Sequence, residues 1–313
     1  MRTELSESAL EYGQVVRQAL QSAGGDALAQ AANADPVRRA EIATVLGGLG
    51  TWELDPRSGP DELEAAAAAC RGAGWWAAPY PIAERLSRPA GLSVDALVVV
   101  SETRPAAAAA CLELRLGTVG LDGRRSLATA KPSAGPVGLA TLVTDLDLIP
   151  VDHAGGGDAP LYLVLGCWTL LGMLDRAMAL TRKYVLWREQ FGRALASFQG
   201  VQFQLTDAEV ERAGAEELAK YALWSVQTRR VDVLADALAL RLATLEAADV
   251  VFRVTHQLHG AIGFCDETTL SWLSRHSQPL RRLPFGLSAT RDLLTQRLGR
   301  HGRAELFNGV GPS

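Results

Sequence analysis

The sequence predicts a mainly α-helical fold with a reduced central β region, and three observations support this fold class. Apolar residues recur at helical spacing between Leu5 and Leu20. β-branched and alternating runs follow between Ser93 and Pro150. Long helical patterns joined by short loops fill the remainder, as in an antiparallel helix bundle. We therefore expect N-terminal helices over residues 1–92, a small β domain over 93–152 and a C-terminal four-helix bundle over 153–313.

The first third of the chain carries helix start and stop signals. Gly24-Gly25 ends the first helical pattern, a second runs from Arg38 to Leu49, and a third opens at Pro60-Asp61-Glu62. Proline suits the first helical position, and the helix dipole favours acidic residues in the first turn. Glycine and proline residues from Gly72 to Pro81 then end the third helix.

The β region is predicted from short runs of β-branched or alternating apolar residues. Leu97–Val100 is apolar and β-branched, whereas Leu112–Leu116 and part of Thr141–Leu148 alternate with period two. The pair Asp122-Gly123 predicts a tight hairpin turn. Glycine and proline residues from Pro132 to Gly138 predict further turns.

Four helical segments are predicted for the C-terminal half. An apolar helix from Leu161 towards Trp187 has apolar residues on several faces, so we expect it to be widely buried. Two more helices are expected over Phe198–Gln227 and Val231–Gln257. The last spans Leu280–Leu298 with a break near Pro284.

Composition excludes some classes of function. The 313 residues are 48% hydrophobic and 21% charged, with a formal net charge of -4. No basic stripe favours nucleic acid. The chain has no uncharged apolar run of ~18 residues and no signal-peptide pattern at its start. We therefore expect no membrane span and a cytoplasmic protein.

The metal-ligating residue types show no metal-site spacing. The four cysteines, Cys70, Cys111, Cys167 and Cys265, are far apart and form no CxxC pair. We expect them to be buried thiols. His256 and His259 are close in the chain but lack a third ligand. No metal is therefore expected.

Three segments of the C-terminal half carry recognisable motifs. Residues 184–192 read YVLWREQFG, residues 197–202 read SFQGVQ, and residues 257–264 read QLHGAIGF. These segments resemble, in the same order, the Y-x-x-x-R-x-Q-F-G, F-Q-x-V-Q and Q-x-x-G-G-x-G-F signatures of the acyl-CoA dehydrogenase family. The predicted order of helices, β region and four-helix bundle is also similar to that family's.

The resemblance implies oxidation of a CoA thioester, in which a carboxylate takes the α-proton and a flavin accepts the β-hydrogen as hydride. The family usually places this carboxylate in a Y-E-G-T loop, and some members place it on the long helix before the first motif. Aligned on Gly286, the loop position is Phe285, and counting back from Tyr184 places Tyr162 at the helix position. Neither residue is a carboxylate, so we expect no catalytic residue in this chain.

The resemblance also implies a divided FAD site. In the family one chain covers the flavin ring, typically with a W-I-T-[SN] strand, and its neighbour holds the pyrophosphate and adenosine. The residues with which one chain holds the pyrophosphate and adenosine of its neighbour's FAD are present here as Arg188, Phe191, Gln257 and Gly260. The W-I-T-[SN] strand is missing from Ser93–Pro150, and Leu287 replaces the threonine that would touch the flavin. Without the resemblance, Arg188 and Gln257 would be surface residues and Phe191 a core residue.

These features predict the shortened, non-catalytic or half-site subunit of a heteromeric FAD-dependent acyl-CoA dehydrogenase. We expect an α2β2 heterotetramer in which FAD is shared with a full-length acyl-CoA dehydrogenase subunit that also binds most of the acyl-CoA. Ala77–Arg85 is similar to a segment of the short subunits of actinobacterial steroid catabolism. The implied substrate is therefore a CoA thioester of a sterol side chain or steroid ring fragment, as in cholesterol degradation.

Three alternatives remain open from the sequence. The first is an ordinary homomeric acyl-CoA dehydrogenase whose base is not recognised, which would bind FAD and turn over alone. The second is a scaffold subunit that keeps the bundle for assembly, in which Arg188 and Gln257 touch no cofactor. The third is a relative that catalyses a reaction without flavin, such as hydration.

Overall fold

The N-terminal part of the protein is helical, as predicted. The computed structural model describes residues 4–131 and 142–301. Its first five helices are α1 (Glu7–Ser22), α2 (Asp26–Ala34), α3 (Pro36–Gly47), α4 (Pro60–Trp75) and α5 (Ile82–Leu86). The Ser6 side chain caps α1 by accepting a hydrogen bond from the backbone N–H of Ala9. The buried face of α1 packs on α4.

A five-stranded sheet follows the helices. Its strands are β1 (Ala96–Val99), β2 (Ala106–Ala108), β3 (Leu116–Val119), β4 (Arg125–Ala130) and β5 (Val143–Asp152). They lie in the order β1-β3-β4-β5-β2, with β1 and β3 parallel and the other pairs antiparallel. The predicted turn at Asp122-Gly123 joins β3 to β4, and Gly123 adopts φ 87° there.

One strand prediction was wrong. Leu112–Arg115 is a turn that follows a short 3-10 helix, and β3 begins only at Leu116. The alternation of Leu112 and Leu114 does not mark one buried face, because Leu112 is exposed. Instead, the Asp95 carboxylate binds the backbone N–H and guanidinium of Arg115 and fixes the chain just before β3. The turns predicted from Pro132 to Gly138 lie outside the described residues.

The C-terminal half is a helix bundle, as predicted. Its elements are α6 (Asp158–Trp187), β6 (Glu189–Gln190), β7 (Arg193–Ala194), α7 (Gln199–Gln227), α8 (Val233–His259), α9 (Thr269–His276), α10 (Gln278–Arg282) and α11 (Leu287–His301). Helix α8 packs against α6, α7 and α11. The described architecture is therefore mainly helical with a small central sheet, which confirms the predicted fold class.

Helix α6 is the central element of the molecule. It contacts α4, α5, α7, α8 and β1, and it buries Trp168 almost completely. Among the described residues it is the one helix long and apolar enough to cross a membrane, but 72% of its most apolar window is buried inside the protein. This burial identifies α6 as a core helix.

Helices α4 and α6 cross so closely that their backbones touch at two glycines. A Cβ added to Gly74 would lie 2.0 Å from the carbonyl oxygen of Thr169. A Cβ added to Gly172 would lie 2.0 Å from the carbonyl oxygen of Arg71. Both approaches are far below any tolerable contact distance, so each position requires glycine.

Four charged side chains tie α4, α6 and α7 together beside this crossing. Arg71 pairs with Asp175 (2.6 Å) and Glu216 (2.7 Å), and Arg212 pairs with the same two carboxylates (3.0 and 2.7 Å). Burial alone would raise the pKa of Glu216, but the two guanidinium groups outweigh it and lower that pKa to about 2.

We expect Gly172→Ala to destabilise the protein by at least about 3 kcal/mol, because the methyl group would force α4 and α6 apart. Gly166→Ala in the same helix is the matched control, since its Cβ would meet nothing within 4 Å. The control should be neutral or stabilising by up to about 1 kcal/mol, because alanine is the better helix former. Urea denaturation measures both, and equal stabilities of the two variants would contradict the close crossing.

We expect Glu216→Gln to remove part of the pH dependence of stability. Because the pKa of Glu216 lies below its ordinary value of 4.5 in the folded protein, its ion pairs stabilise the fold above pH 4.5. This contribution is lost as the pH falls towards about 2. The stability difference between wild type and variant should therefore shrink over that range in denaturant titrations. Glu217→Gln, at an exposed neighbouring acid, should show at most a small difference.

Candidate functional site

The C-terminal ends of α6 and α8 meet through an aromatic contact. The Tyr184 ring stacks on His259 with a centroid distance of 4.3 Å. Arg188 follows one turn after Tyr184, to whose carbonyl oxygen its N–H donates at 2.8 Å. Gln257 lies in the last turn of α8, just before His259. The structure therefore brings the predicted cofactor-contact residues to one end of the bundle.

A tight hairpin presents Phe191 at this end. Phe191 (φ 54°) and Gly192 (φ 75°) form the turn between β6 and β7. The Phe191 side chain is 91% exposed, so its interpretation as a core residue is wrong. Its ring makes an edge-to-face contact with Phe198, at 6.3 Å between centroids. A left-handed backbone and an exposed phenyl ring are both unfavourable, and such outliers mark candidate functional positions.

Gly260 ends α8 in a conformation that favours glycine. Its φ of 63° and ψ of -145° lie outside the regions open to other residues. A Cβ at this position would meet nothing within 4 Å in the chain. The backbone conformation, and not crowding by neighbouring atoms, therefore requires glycine. The exposed backbone is left open to close approach by another molecule.

The same end of the bundle exposes a group of large apolar side chains, here called the apolar end. Its members are Leu186, Trp187, Phe203, Ile262 and Phe264, which are between 48% and 74% exposed. Trp187 and Ile262 also border a cleft of about 330 Å³ next to the Tyr184–His259 stack. Exposed apolar groups of this size are typical of protein interaction surfaces.

The two predicted base positions differ in their surroundings. Tyr162 is buried and lines a cavity of about 160 Å³ between α5, β2 and α6. Phe285 packs against the core in the loop between α10 and α11, and Leu283 of that loop reaches the cavity wall. The structure therefore places both positions near one cavity, and neither supplies a carboxylate.

Arg241 of α8 holds this loop. Its guanidinium is 5% exposed and donates to the carbonyl oxygens of Leu280 (3.2 Å), Leu283 (2.6 Å) and Phe285 (2.7 Å). Burial lowers the pKa of Arg241. Between described residues, no ion pair includes Arg241. The hydrogen bonds to the three carbonyl oxygens therefore offset the free-energy cost of burying its guanidinium group.

Sequence reasoning missed Glu84 as a candidate site residue. This carboxyl group lines the same cavity, is 8% exposed and lies beside the Tyr162 hydroxyl. Burial raises the pKa of Glu84 to about 7. The one available signal was an acid set among Ile82, Ala83 and Leu86, all of which are buried in α5.

The cysteines and histidines do not form a metal site in the described part of the chain. Across residues 4–131 and 142–301, no three side chains of the ligating types come together. Three cysteines are buried as expected, but Cys265 is exposed. Cys265 follows the short 3-10 helix Gly260–Phe264, which projects at the apolar end and does not enter the core.

Comparisons with known proteins agree with the motifs. The family described as "Acyl-CoA dehydrogenase, C-terminal domain" matches residues 164–286. Acyl-CoA dehydrogenase FadE27 of Mycobacterium tuberculosis is 31% identical over 189 residues, which are 55% of this chain and 48% of FadE27. Mitochondrial isobutyryl-CoA dehydrogenase of Bos taurus is 28% identical over 131 residues, 41% of this chain and 31% of that protein. The matched segments thus span less than half of these relatives.

Solved structures share the fold over nearly the whole chain. The ChsE4-ChsE5 complex from Mycobacterium tuberculosis contains a chain with a TM-score of 0.72 and 19% identity, covering 97% of this chain and all of that one. A variant described as "Tcur3481-Tcur3483 steroid ACAD" gives a TM-score of 0.72 and 18% identity, covering 94% and 98%. At these identities the likeness shows the fold alone.

The structure and the matches show a C-terminal region similar to the C-terminal domain of acyl-CoA dehydrogenases, within a chain that shares the fold of solved acyl-CoA dehydrogenase structures. The residues that match the acyl-CoA dehydrogenase C-terminal domain, 164–286, include Arg188, Phe191, Gln257 and Gly260. The resemblance predicted from the three motifs is therefore confirmed.

We expect Arg241→Met to destabilise the protein by at least about 3 kcal/mol, because three buried carbonyls lose a donor. The loop should open first, so amide hydrogen exchange at Gly286–Thr290 should accelerate more than exchange elsewhere in α8. Arg253→Met, at an exposed position of the same helix, is the control and should change stability by no more than about 0.5 kcal/mol. Equal exchange rates in both variants would contradict this role of Arg241.

Proposed function

We propose that this chain is one subunit of a heteromeric FAD-dependent acyl-CoA dehydrogenase and contributes FAD contacts across the subunit interface. The observation that carries the proposal is Phe191, which is almost fully exposed on a left-handed turn beside Arg188. Within the chain this arrangement is unfavourable. Contact with a molecule bound by a second subunit would offset its cost.

The residues at the end of the bundle fit a dinucleotide. Arg188 offers a planar set of donors for pyrophosphate oxygens, and Phe191 offers an aromatic face for the adenine. Gly260 permits close approach of the backbone, and Gln257 supplies an exposed amide. When bound, the flavin accepts the substrate hydride. This chain's contribution would be to hold the pyrophosphate and adenosine half of the cofactor.

The partner subunit would supply the catalytic base and most of the acyl-CoA site. Phe285 and Tyr162 occupy the two family base positions, and neither can accept the α-proton as a carboxylate does. The apolar end is a suitable surface for the partner. We propose an α2β2 heterotetramer in the cytoplasm, acting on a CoA thioester derived from a steroid, as in cholesterol degradation. The names of two structural neighbours, a two-component complex and a steroid ACAD, support this assignment.

A homomeric dehydrogenase is the second candidate, and Glu84 is the observation that favours it. Its carboxyl group lies beside Tyr162, the helix base position, and its pKa is raised by burial to about 7. That value suits a general base at neutral pH. Under this alternative the isolated chain would bind FAD stoichiometrically and oxidise an acyl-CoA.

We expect the chain expressed alone to lack stoichiometric flavin absorbance, and its complex with a full-length partner subunit to contain FAD. In that complex, Arg188→Ala should weaken FAD retention by roughly ten- to a hundredfold, because a charge-assisted phosphate contact is lost. FAD affinity is measured by titrating the apo complex and following flavin fluorescence.

Arg182→Ala is the matched control, since Arg182 is an exposed arginine of α6 two residues before Tyr184 and has no proposed cofactor role. It should leave FAD affinity unchanged. Equal FAD affinities in the Arg188 and Arg182 variants would favour the scaffold alternative. A yellow, active isolated chain would establish the homomeric alternative instead.

A further inference from the structure

The cavity beside α5 is partly open to solvent and is lined mainly by apolar side chains. Ala77, Ala107, Met173, Leu280 and Leu283 are among its walls. Its volume of about 160 Å³ resembles the engineered apolar cavity of about 150 Å³ that holds benzene. The space therefore suits one ring or a branched group of similar size.

A carboxyl–phenol pair interrupts this apolar lining. Glu84 comes from α5 and Tyr162 from the second turn of α6, and both side chains are more than nine-tenths buried. The Tyr162 hydroxyl lies beside the Glu84 carboxyl at the cavity wall, and a carboxylate has more than one acceptor site for hydrogen bonds. The pair thus presents a hydrogen-bond acceptor to the cavity.

No cation neutralises this carboxyl group in the part of the chain that the structure describes. Among the ion pairs between described residues, none includes Glu84. The titratable groups facing it are Tyr162 on α6, Cys70 on α4 and Cys111 after β2, and burial raises the pKa of each. These three groups are neutral at pH 7. Burying a carboxyl group without a cation is unfavourable, and a ligand that donates a hydrogen bond would compensate for it.

Two other titratable groups at the cavity wall have partners, although the Nε atom of Arg39 makes no hydrogen bond among the described residues. Arg39 pairs with Glu113 and donates to the carbonyl oxygen of Asn33. His276 stacks on Trp272 at 3.5 Å, and burial lowers its pKa to about 4, so it carries no charge at pH 7. Glu84 is therefore the acidic group that the wall offers to a ligand.

We propose that this cavity binds a one-ring or branched apolar group bearing a hydroxyl, and that Glu84 accepts the hydrogen bond of that hydroxyl while Tyr162 positions the carboxyl group. An ammonium group is a poorer fit, because the apolar walls would strip its hydration without other acceptors. For the proposed dehydrogenase subunit, the ligand class is then a hydroxylated acyl group, a step that rests on the proposed function. The binding itself needs neither FAD nor a partner.

The test uses the full chain alone and three probes of equal size: cyclohexanol, methylcyclohexane and cyclohexylamine. Dissociation constants are measured by ligand-observed NMR at pH 8. We expect cyclohexanol to bind at least about tenfold more tightly than methylcyclohexane, as one buried hydrogen bond to a charged acceptor provides. Cyclohexylamine should bind more weakly than cyclohexanol. Equal affinities for the alcohol and the hydrocarbon, or tighter binding of the amine, would overturn the proposal.

Glu84→Leu should abolish the preference for cyclohexanol without unfolding the chain, because replacing an uncompensated buried carboxyl by an apolar group is seldom destabilising. Glu11→Leu, at an exposed acid of α1, is the control and should keep the preference. In the wild type, affinity for cyclohexanol should rise between pH 6 and 8 as Glu84 ionises around pH 7, since a carboxylate is the stronger acceptor.

A preference for cyclohexanol that persists in Glu84→Leu would show that Glu84 does not accept the hydrogen bond of the hydroxyl. An affinity for cyclohexanol that does not change with pH would show the same. Because no flavin is involved, these failures would leave the FAD-sharing proposal unaffected. Conversely, an Arg188→Ala result that contradicts the FAD-sharing proposal would leave the cavity measurement valid.

Discussion

The backbone contact between α4 and α6 is the constraint on which the rest of the molecule depends. Gly74 and Gly172 allow the two helices to touch, and this sets the position of the N-terminal helices against the bundle. The Arg71 ion pairs lie along the same crossing. Residues just beyond Gly74, including Ala77, form a cavity wall opposite Met173 of α6. A wider crossing would therefore enlarge the cavity and separate α5 from α6.

Helix α6 places two different chemical environments at its two ends. Tyr162, near the start, belongs to the buried cavity, whereas Arg188 follows directly after the end. At 1.5 Å per residue the helix separates them by about 38 Å. One small group cannot occupy both ends at once. This separation supports the proposal that the exposed end serves a cofactor site completed by another subunit, while the cavity belongs to this chain.

The sequence predictions were accurate where a feature depends on neighbouring residues and failed where it depends on contacts between residues distant in the chain. Helices α6, α7 and α8 were predicted to within a few residues, because their periodicity and end signals are local. The strand predicted at Leu112–Leu116 failed, since a contact from Asp95 decided where the chain turns. Glu84 was missed for a related reason. Its apolar neighbours in α5 indicate burial, but its position beside Tyr162 depends on how α5 packs on α6, which the residues of α5 alone do not show.

The sequence by itself determined the order of the elements, the class of the C-terminal domain and the set of motif residues at its end. Each of these depends on residue types that are close together in the chain, because local backbone geometry determines where helices, turns and hairpins form. Only the tertiary structure decided that Phe191 is exposed on a left-handed turn, that Arg241 holds the loop of Phe285, and that Glu84 meets Tyr162. Burial and partner choice depend on side chains that are distant in the chain, and only the packing of the helices brings them together.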